Sequence, residues 1–105
     1  MQIHELNNYT KLFDAYGKLL SNKQYEVMDK FLNMDISESE MAELENGSRQ
    51  AIHDAISKAK KQLVEFESKC HFVERNEILR EKLEELKQVL DSNQADIVDT
   101  IITNL

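Results

Sequence analysis

The fold is decided at residues 41–61, which read "MAELENGSRQAIHDAISKAKK". Asn46 and Gly47 tolerate a positive φ, and Ser48 can accept a hydrogen bond from a backbone N–H one turn later. These residues predict a tight turn between a short helix and a longer helix that begins near Arg49. The longer helix carries an apolar stripe with helical spacing, as one buried face requires. The stripe comprises Ile52, Ile56, Ala59, Leu63 and Phe66.

The composition favours an all-α protein. The chain of 105 residues contains no Pro and only two Gly, whereas the residue types that favour helix interiors are common. A chain of this length buries about two-thirds of the surface that its unfolded form exposes, which is enough for one ordinary core. We therefore expect a single all-α helical bundle without a second independent domain.

Apolar spacing and capping signals place the helices of the N-terminal part. Ser21 followed by Gln24 has the spacing of a capping box, in which each residue bonds to the other's backbone N–H, and Ser37 with Glu40 repeats it. Together with the central turn, these signals predict a helix-turn-helix domain over residues 1–71. The predicted helices cover residues 5–20, 22–34, 38–45 and 49–71.

A heptad row of leucines predicts a helix-pairing surface in the C-terminal part. Phe72 and Asn76 extend this row by one period, and Asp91 begins the polar segment that ends it. We expect residues 72–105 to belong to the same compact domain, where the row is either buried internally or forms a homodimer interface, which we favour. The predicted dimerisation residues are Phe72, Leu79, Leu83, Leu86 and Leu90. A short final helix is expected to present one apolar face made of Ile97, Val98, Ile101, Ile102 and Leu105.

Positive charge is concentrated on the second helix of the central hairpin. The formal charge of the chain is -7, yet residues 49–61 carry four bases and one acid. Because salt screens charges beyond about 8 Å, this local excess matters more to a polyanion than the total charge. With Ile52 inward, the outward side holds groups that can contact phosphates or base edges. The predicted nucleic-acid-binding residues are Ser48, Arg49, Gln50, His53, Ser57, Lys58 and Lys61.

Asp54 complicates this interpretation, because it lies at the centre of the same outward side. Its carboxylate repels phosphate and would need a cytosine amino group, or Lys58 one turn later, as a partner. In the alternative interpretation, Lys58, Lys60 and Lys61 form a solvated helix face partnered by the Glu-rich segments. Three or four phosphate contacts per subunit give modest affinity, so useful binding is expected to need a dimer.

The sequence contains no recognised catalytic or metal-binding motif. His4, His53 and His71 lie far apart, so we expect no metal site and no cofactor. Cys70 and His71 are adjacent and would point about 100° apart on a helix, which prevents them from acting as nucleophile and base. We predict a protein that is not an enzyme. Since neither an export signal nor a membrane-spanning apolar run occurs, the expected location is the cytoplasm.

The central stretch carries a family resemblance. Residues 20–63 resemble region 4 of bacterial sigma factors and, more closely, the YlxM-like family of small helix-turn-helix proteins. The match includes the opening "LFDAYGKLLSNKQ", "EMAE" before the turn and "SRQAIHD" after it. The resemblance implies a sigma region 4-like fold and a link to the signal recognition particle pathway, beside whose GTPase genes the family's genes lie. The implied partners are DNA, the particle's RNA or its protein component.

One part of the chain departs from that family's pattern. The family usually places an aromatic or aliphatic residue, then Gly or Asn, then Val before the serine, whereas this chain has Glu45, Asn46 and Gly47. Losing two buried apolar side chains forfeits about 1.5–3 kcal/mol each. We therefore predict a looser or displaced turn.

These observations lead to two functional hypotheses. The first is a cytoplasmic regulatory helix-turn-helix protein that binds nucleic acid and takes part in the signal recognition particle pathway. The alternative is a protein-interaction module that uses acidic helical surfaces to bind a basic protein partner, without DNA binding.

Overall fold

The computed structural model describes residues 3–105, with side chains from Glu5 onward. Every regular element in that range is helical, which confirms the all-α prediction. The chain divides into two compact units, the first ending at Cys70 and the second running from His71 to Leu105. That residues 1–71 and 72–105 form one compact domain stays a prediction.

The N-terminal unit contains four α-helices and one 3₁₀ turn. The helices are α1 (Ile3–Tyr16), α2 (Asn22–Leu32), α3 (Glu38–Leu44) and α4 (Arg49–Cys70). The 3₁₀ turn, Gly17–Leu19, replaces the last turn predicted for the first helix. Gly17 is buried, and a Cβ atom at this position would lie 2.9 Å from Cε1 of Phe13. The regular helix therefore ends where the chain passes too close to the Phe13 ring for any larger residue.

Side-chain caps fix the starts of α2 and α3. The capping box predicted for α2 is confirmed, since Gln24 N–H donates to Ser21 Oγ and Ser21 N–H donates to Gln24 Oε1, each at 3.2 Å. At α3 only one of the two hydrogen bonds of the predicted capping box is formed, so the prediction of a complete box was wrong. Ser37 Oγ accepts from Glu40 N–H, but the Ser37 hydroxyl donates to the Glu40 carboxylate, which leaves that carboxylate turned away from the Ser37 N–H.

The core of the N-terminal unit is built against α4. Ile52, Ile56, Ala59 and Leu63 are buried and Phe66 is half-buried, which confirms the predicted stripe. Full burial of one Ile or Leu side chain stabilises the fold by about 1.5–3 kcal/mol, so the stripe anchors α4 along most of its length. The other buried hydrophobic residues of this unit are Phe13, Tyr16, Leu20, Val27, Met28, Met41 and Ala42.

The C-terminal unit is a helical hairpin. Its helices are α5 (Phe72–Lys87) and α6 (Ser92–Thr103). Asp91 begins α6 with a capping box, because its carboxylate accepts from Gln94 N–H at 2.8 Å and its own N–H donates to the Gln94 side chain. Lys87 Nζ lies 2.6 Å from Oδ1 of Asp99 and joins the two helices.

The apolar residues of α6 are only partly buried. Ile97, Val98, Ile101 and Ile102 fall within one arc of about 140° around the helix axis, as predicted. Val98 is buried and Ile102 is half-buried, whereas Ile97 and Ile101 are exposed. One side of the predicted apolar face therefore packs inward and the other side faces solvent.

Among residues 3–105, three residues other than glycine take a positive φ. Asp35, with φ 53°, follows α2, and Asn46, with φ 52°, follows α3. His71, with φ 57°, separates α4 from α5. Neither of the two glycines has a positive φ, so these helix endings are made with side chains in a conformation that usually favours glycine.

Candidate nucleic-acid interface

The turn between α3 and α4 is closed by main-chain hydrogen bonds. The N–H of Asn46 donates to the carbonyl of Glu43 at 3.3 Å, and the N–H of Gly47 donates to the carbonyl of Ala42 at 2.9 Å. This pair of bonds is a Schellman ending, in which Gly or Asn occupies the left-handed position. Asn46 takes that position here, so the chain leaves α3 in a defined direction.

Glu45 attaches the end of α3 to α2. Its carboxylate lies 2.8 Å from Nζ of Lys23 and 3.5 Å from Nζ of Lys30. The hydrogen bond from Lys23 holds the pKa of Glu45 below its usual value and raises the pKa of Lys23. Ion pairs therefore occupy a position where an apolar side chain was expected from the family pattern. The looser or displaced turn inferred from that departure stays a prediction.

All seven side chains predicted to contact nucleic acid are exposed on α4 and the residue before it. Ser48 Oγ also accepts a hydrogen bond from Ala51 N–H at 3.0 Å, which confirms its predicted capping role. Lys58 and Lys61 have no ion pair within the described residues. We call the set, with Asp54, the outward face of α4. Its predicted contact residues are Ser48, Arg49, Gln50, His53, Ser57, Lys58 and Lys61.

An acidic residue of α3 contacts the N-terminal half of this face. The carboxylate of Glu38 lies 3.0 Å from Nδ1 of His53 and 3.9 Å from Nε of Arg49. Together with Gln50, these three residues line an open cavity of about 320 Å3. The sequence pattern does not indicate Glu38 as part of the site, because a contact across fifteen residues depends on how α3 crosses α4. A phosphate approaching Arg49 must therefore compete with a carboxylate already in place.

Asp54 is bonded to Gln50 instead of Lys58. Gln50 Nε2 donates to Asp54 Oδ1 at 2.8 Å, one helical turn back along α4. Lys58, one of the two alternative partners considered for Asp54, forms no ion pair with it among the described residues, and the amide group that could read an adenine edge is engaged within the helix. Base readout by Gln50 would require this hydrogen bond to break or to be shared.

Lys60 belongs to the basic stretch but not to the outward face. Its Nζ lies 4.8 Å from the ring centroid of Tyr9 and 5.3 Å from that of Phe31, and its side chain is half-buried. Such cation–π contacts stabilise a fold by about 0.5–2 kcal/mol. Lys60 therefore connects α4 to α1 and α2, and it does not share the solvated position that the alternative interpretation gave to all three lysines.

The other polar candidates do not converge. No group of three His, Cys, Asp or Glu side chains among the described residues could hold one metal ion. His4 lies outside the described side chains, and His71 Nδ1 lies 3.3 Å from Oε2 of Glu74 in the first turn of α5. Cys70 is half-buried. None of the helices in the described range is long and apolar enough to cross a membrane.

The leucine row of α5 is unevenly covered. Phe72, Leu79 and Leu86 are about half exposed, whereas Leu83 and Leu90 are half-buried. The use of these five residues as a homodimer interface stays a prediction.

Comparison with known proteins identifies relatives over most of the chain. Residues 3–102 match the family UPF0122, described as "Putative helix-turn-helix protein, YlxM / p13 like". A UPF0122 protein of Malacoplasma penetrans is 37% identical over 102 residues, covering 96% of this chain and 92% of the relative. One from Clostridium botulinum is 41% identical over 90 residues, covering 81% and 82% of the two chains. One from Lactococcus lactis is 35% identical over 94 residues, covering 90% and 85%.

Proposed function

Because the chain belongs to the UPF0122 family of YlxM- and p13-like helix-turn-helix proteins, we propose that it is a regulatory protein that binds nucleic acid through the outward face of α4. The observation that carries this proposal is the pair of exposed lysines, Lys58 and Lys61, on the second helix of the hairpin, neither of which forms an ion pair in the part of the chain that the structure describes. In helix-turn-helix proteins the second helix enters the major groove and the first braces it.

The contacts are mainly electrostatic. Lys58 and Lys61 supply two phosphate contacts, and Arg49, about 18 Å further back along the helix axis, supplies a third when it leaves Glu38. Each neutralised phosphate contributes about 0.9 to the slope of log affinity against log salt on duplex DNA. A single copy therefore binds weakly and with little preference for sequence, because Gln50 is engaged by Asp54.

The resemblance to the YlxM-like family adds a pathway to this proposal. It implies a cytoplasmic protein that acts with the signal recognition particle, so the target is the particle's RNA or a DNA site. Phosphates are common to both, and the lysines of the outward face contact either one.

The experiment compares matched charge changes at two surfaces. Binding of the purified chain to labelled duplex DNA and to signal recognition particle RNA is measured by fluorescence anisotropy between low and physiological salt. The variant Lys58→Glu with Lys61→Glu is expected to weaken binding by about tenfold or more and to reduce the salt slope by about 1.8. The control, Lys18→Glu with Arg80→Glu, changes the net charge equally at exposed positions that are not on α4. Equal losses in both variants would exclude the outward face as the binding site.

A protein-interaction module is the second candidate, and the positions of Glu38 and Asp54 favour it. Both carboxylates lie at the outward face, where they can contact the bases of a basic protein. The net charge of the chain, -7, also attracts such a partner. The partner would be the protein component of the signal recognition particle. Two results together would favour this candidate over the first. The chain would bind that protein, with Glu38→Lys plus Asp54→Lys abolishing the binding, and it would bind neither nucleic acid.

A further inference from the structure

Acidic and basic residues lie on different sides of α5. At about 100° per residue, the five glutamates of α5 fall within an arc of about 100°, on the side opposite the leucine row. The four basic residues flank the row on both sides. Arg75 and Lys82 lie along one edge, and Arg80 and Lys87 lie along the other.

Helix α6 engages only one of these edges. Lys87 is paired with Asp99 of α6 at 2.6 Å, and Leu83, next to it in the helical projection, is half-buried. On the other edge the apolar side chains remain open to solvent. Phe72 is 52% exposed, and Leu79 and Leu86 are each 45% exposed.

The open edge also keeps its positive charge available. Arg75 has no ion pair among the described residues. Lys82 has only an exposed contact of 3.5 Å with Glu85 on its own helix, a type of pair that contributes little. We define Phe72, Leu79 and Leu86 with Arg75 and Lys82 as the open stripe of α5.

We infer that the open stripe binds an acidic amphipathic helix of a partner protein. Leucine and phenylalanine at heptad spacing accept the apolar face of a second helix, and bases at the flanking positions select a partner with carboxylates there. A second copy of α5, as in the homodimer predicted from the leucine row, fits this stripe poorly. In either a parallel or an antiparallel pair, the bases flanking one row would face the bases flanking the other.

The test uses two synthetic four-heptad peptides with Leu at every a and d position. One peptide has Glu at every e and g position and the other has Lys. Anisotropy titrations with the full chain are expected to show micromolar binding of the acidic peptide and binding of the basic peptide that is weaker by about tenfold or more. Arg75→Glu with Lys82→Glu is expected to reverse this preference, while Leu79→Ala with Leu86→Ala weakens the binding of both peptides.

Two controls keep the result specific. Glu77→Lys with Glu81→Lys, on the acidic side of α5, should leave the acidic peptide bound at least as tightly. Lys58→Glu with Lys61→Glu should not change peptide binding, which separates this inference from the nucleic-acid proposal. Similar affinity for both peptides, no binding of either, or sedimentation of a dimer that Leu79→Ala with Leu86→Ala dissociates would each overturn the inference.

Discussion

Glu38 places its carboxylate 3.0 Å from Nδ1 of His53, so the first residue of α3 is bonded to the outward face of α4. Arg49 lies at 3.9 Å from the same carboxylate. One acidic side chain therefore engages both His53 and Arg49, the candidates in the N-terminal half of the face that lie nearest to α3. The proposed nucleic-acid contacts shift toward Lys58 and Lys61 as a result.

Removal of this carboxylate should strengthen nucleic-acid binding. In Glu38→Gln, Arg49 is released and one source of phosphate repulsion is lost. Affinity should rise by up to about fivefold, as expected for about 1 kcal/mol of surface charge interaction. The salt slope should steepen by about 0.9 if Arg49 gains a phosphate. Glu43→Gln, which removes an exposed carboxylate outside the outward face, is the control; an equal gain in both variants would rule out a specific role for Glu38.

The same substitution at Lys60 and at Lys61 should affect different properties, the stability of the fold at Lys60 and nucleic-acid binding at Lys61. Lys60→Gln removes the cation from the Tyr9 and Phe31 rings and should lower the free energy of unfolding by about 1–2 kcal/mol. Its effect on nucleic-acid binding should be small. Lys61→Gln should change the free energy of unfolding by less than about 0.5 kcal/mol and should reduce the salt slope by about 0.9. Urea denaturation and anisotropy measure the two quantities, and similar effects of both variants would contradict the assigned roles.

The attachment of α3 to α2 should depend on pH. The hydrogen bond with Lys23 lowers the pKa of Glu45. The stabilising contribution of the Glu45 carboxylate is therefore complete above about pH 4.3, the pKa of a glutamate in an unfolded chain. It is lost as the pH falls through the lower pKa of Glu45 in the folded state. The pKa of Lys23 is raised, so the stabilising contribution of this ion pair is also lost as the pH rises through the pKa of Lys23 in the folded state.

Glu45→Gln tests this dependence by urea denaturation at several pH values. The variant should be less stable than the parent chain at neutral pH, and the difference should shrink in acid as Glu45 of the parent becomes protonated. Glu43→Gln serves again as the reference for loss of an exposed carboxylate. A stability difference that stays constant from neutral pH down to about pH 2 would exclude the ion pair as its cause.

The two glycines should differ in their tolerance of alanine. A Cβ at Gly17 would lie 2.9 Å from the Phe13 ring, and overpacking of this kind costs about 1–3 kcal/mol. A Cβ at Gly47 meets no atom within 4 Å, and Gly47 has no positive φ. Gly47→Ala should therefore be neutral or stabilise the fold by about 0.4–1 kcal/mol. Thermal denaturation of the two variants gives the comparison, and a destabilised Gly47→Ala would show that the turn is more constrained than its geometry indicates.

Local features of the fold were predictable from the sequence. The buried stripe from Ile52 to Leu63 follows from the helical period alone, and the caps at Ser21 and Ser48 involve residues only three positions apart. Such features depend on geometry within one or two turns of the chain. The same holds for the exposure of Lys58 and Lys61, which lie away from Ile52 in the helical projection.

Contacts between helices were not predictable in the same way. The approach of Glu38 to His53, and of Lys23 to Glu45, depends on how separate helices cross, which spacing does not define. For Lys60 a usable signal existed. It lies about 80° from Ile52 around the axis of α4, whereas Lys61 lies about 180° away, so only Lys60 is close enough to the core to reach the rings of Tyr9 and Phe31.

Asp35, Asn46 and His71 end their helices in a left-handed conformation without glycine. Each accepts a steric penalty of roughly 1–2 kcal/mol in the native state. In return, the disordered polypeptide has fewer accessible conformations than it would with three glycines, and less entropy is lost when it folds. Glycine at any of these three positions would therefore keep the path of the backbone, while strain relief and added chain freedom act on the stability in opposite directions.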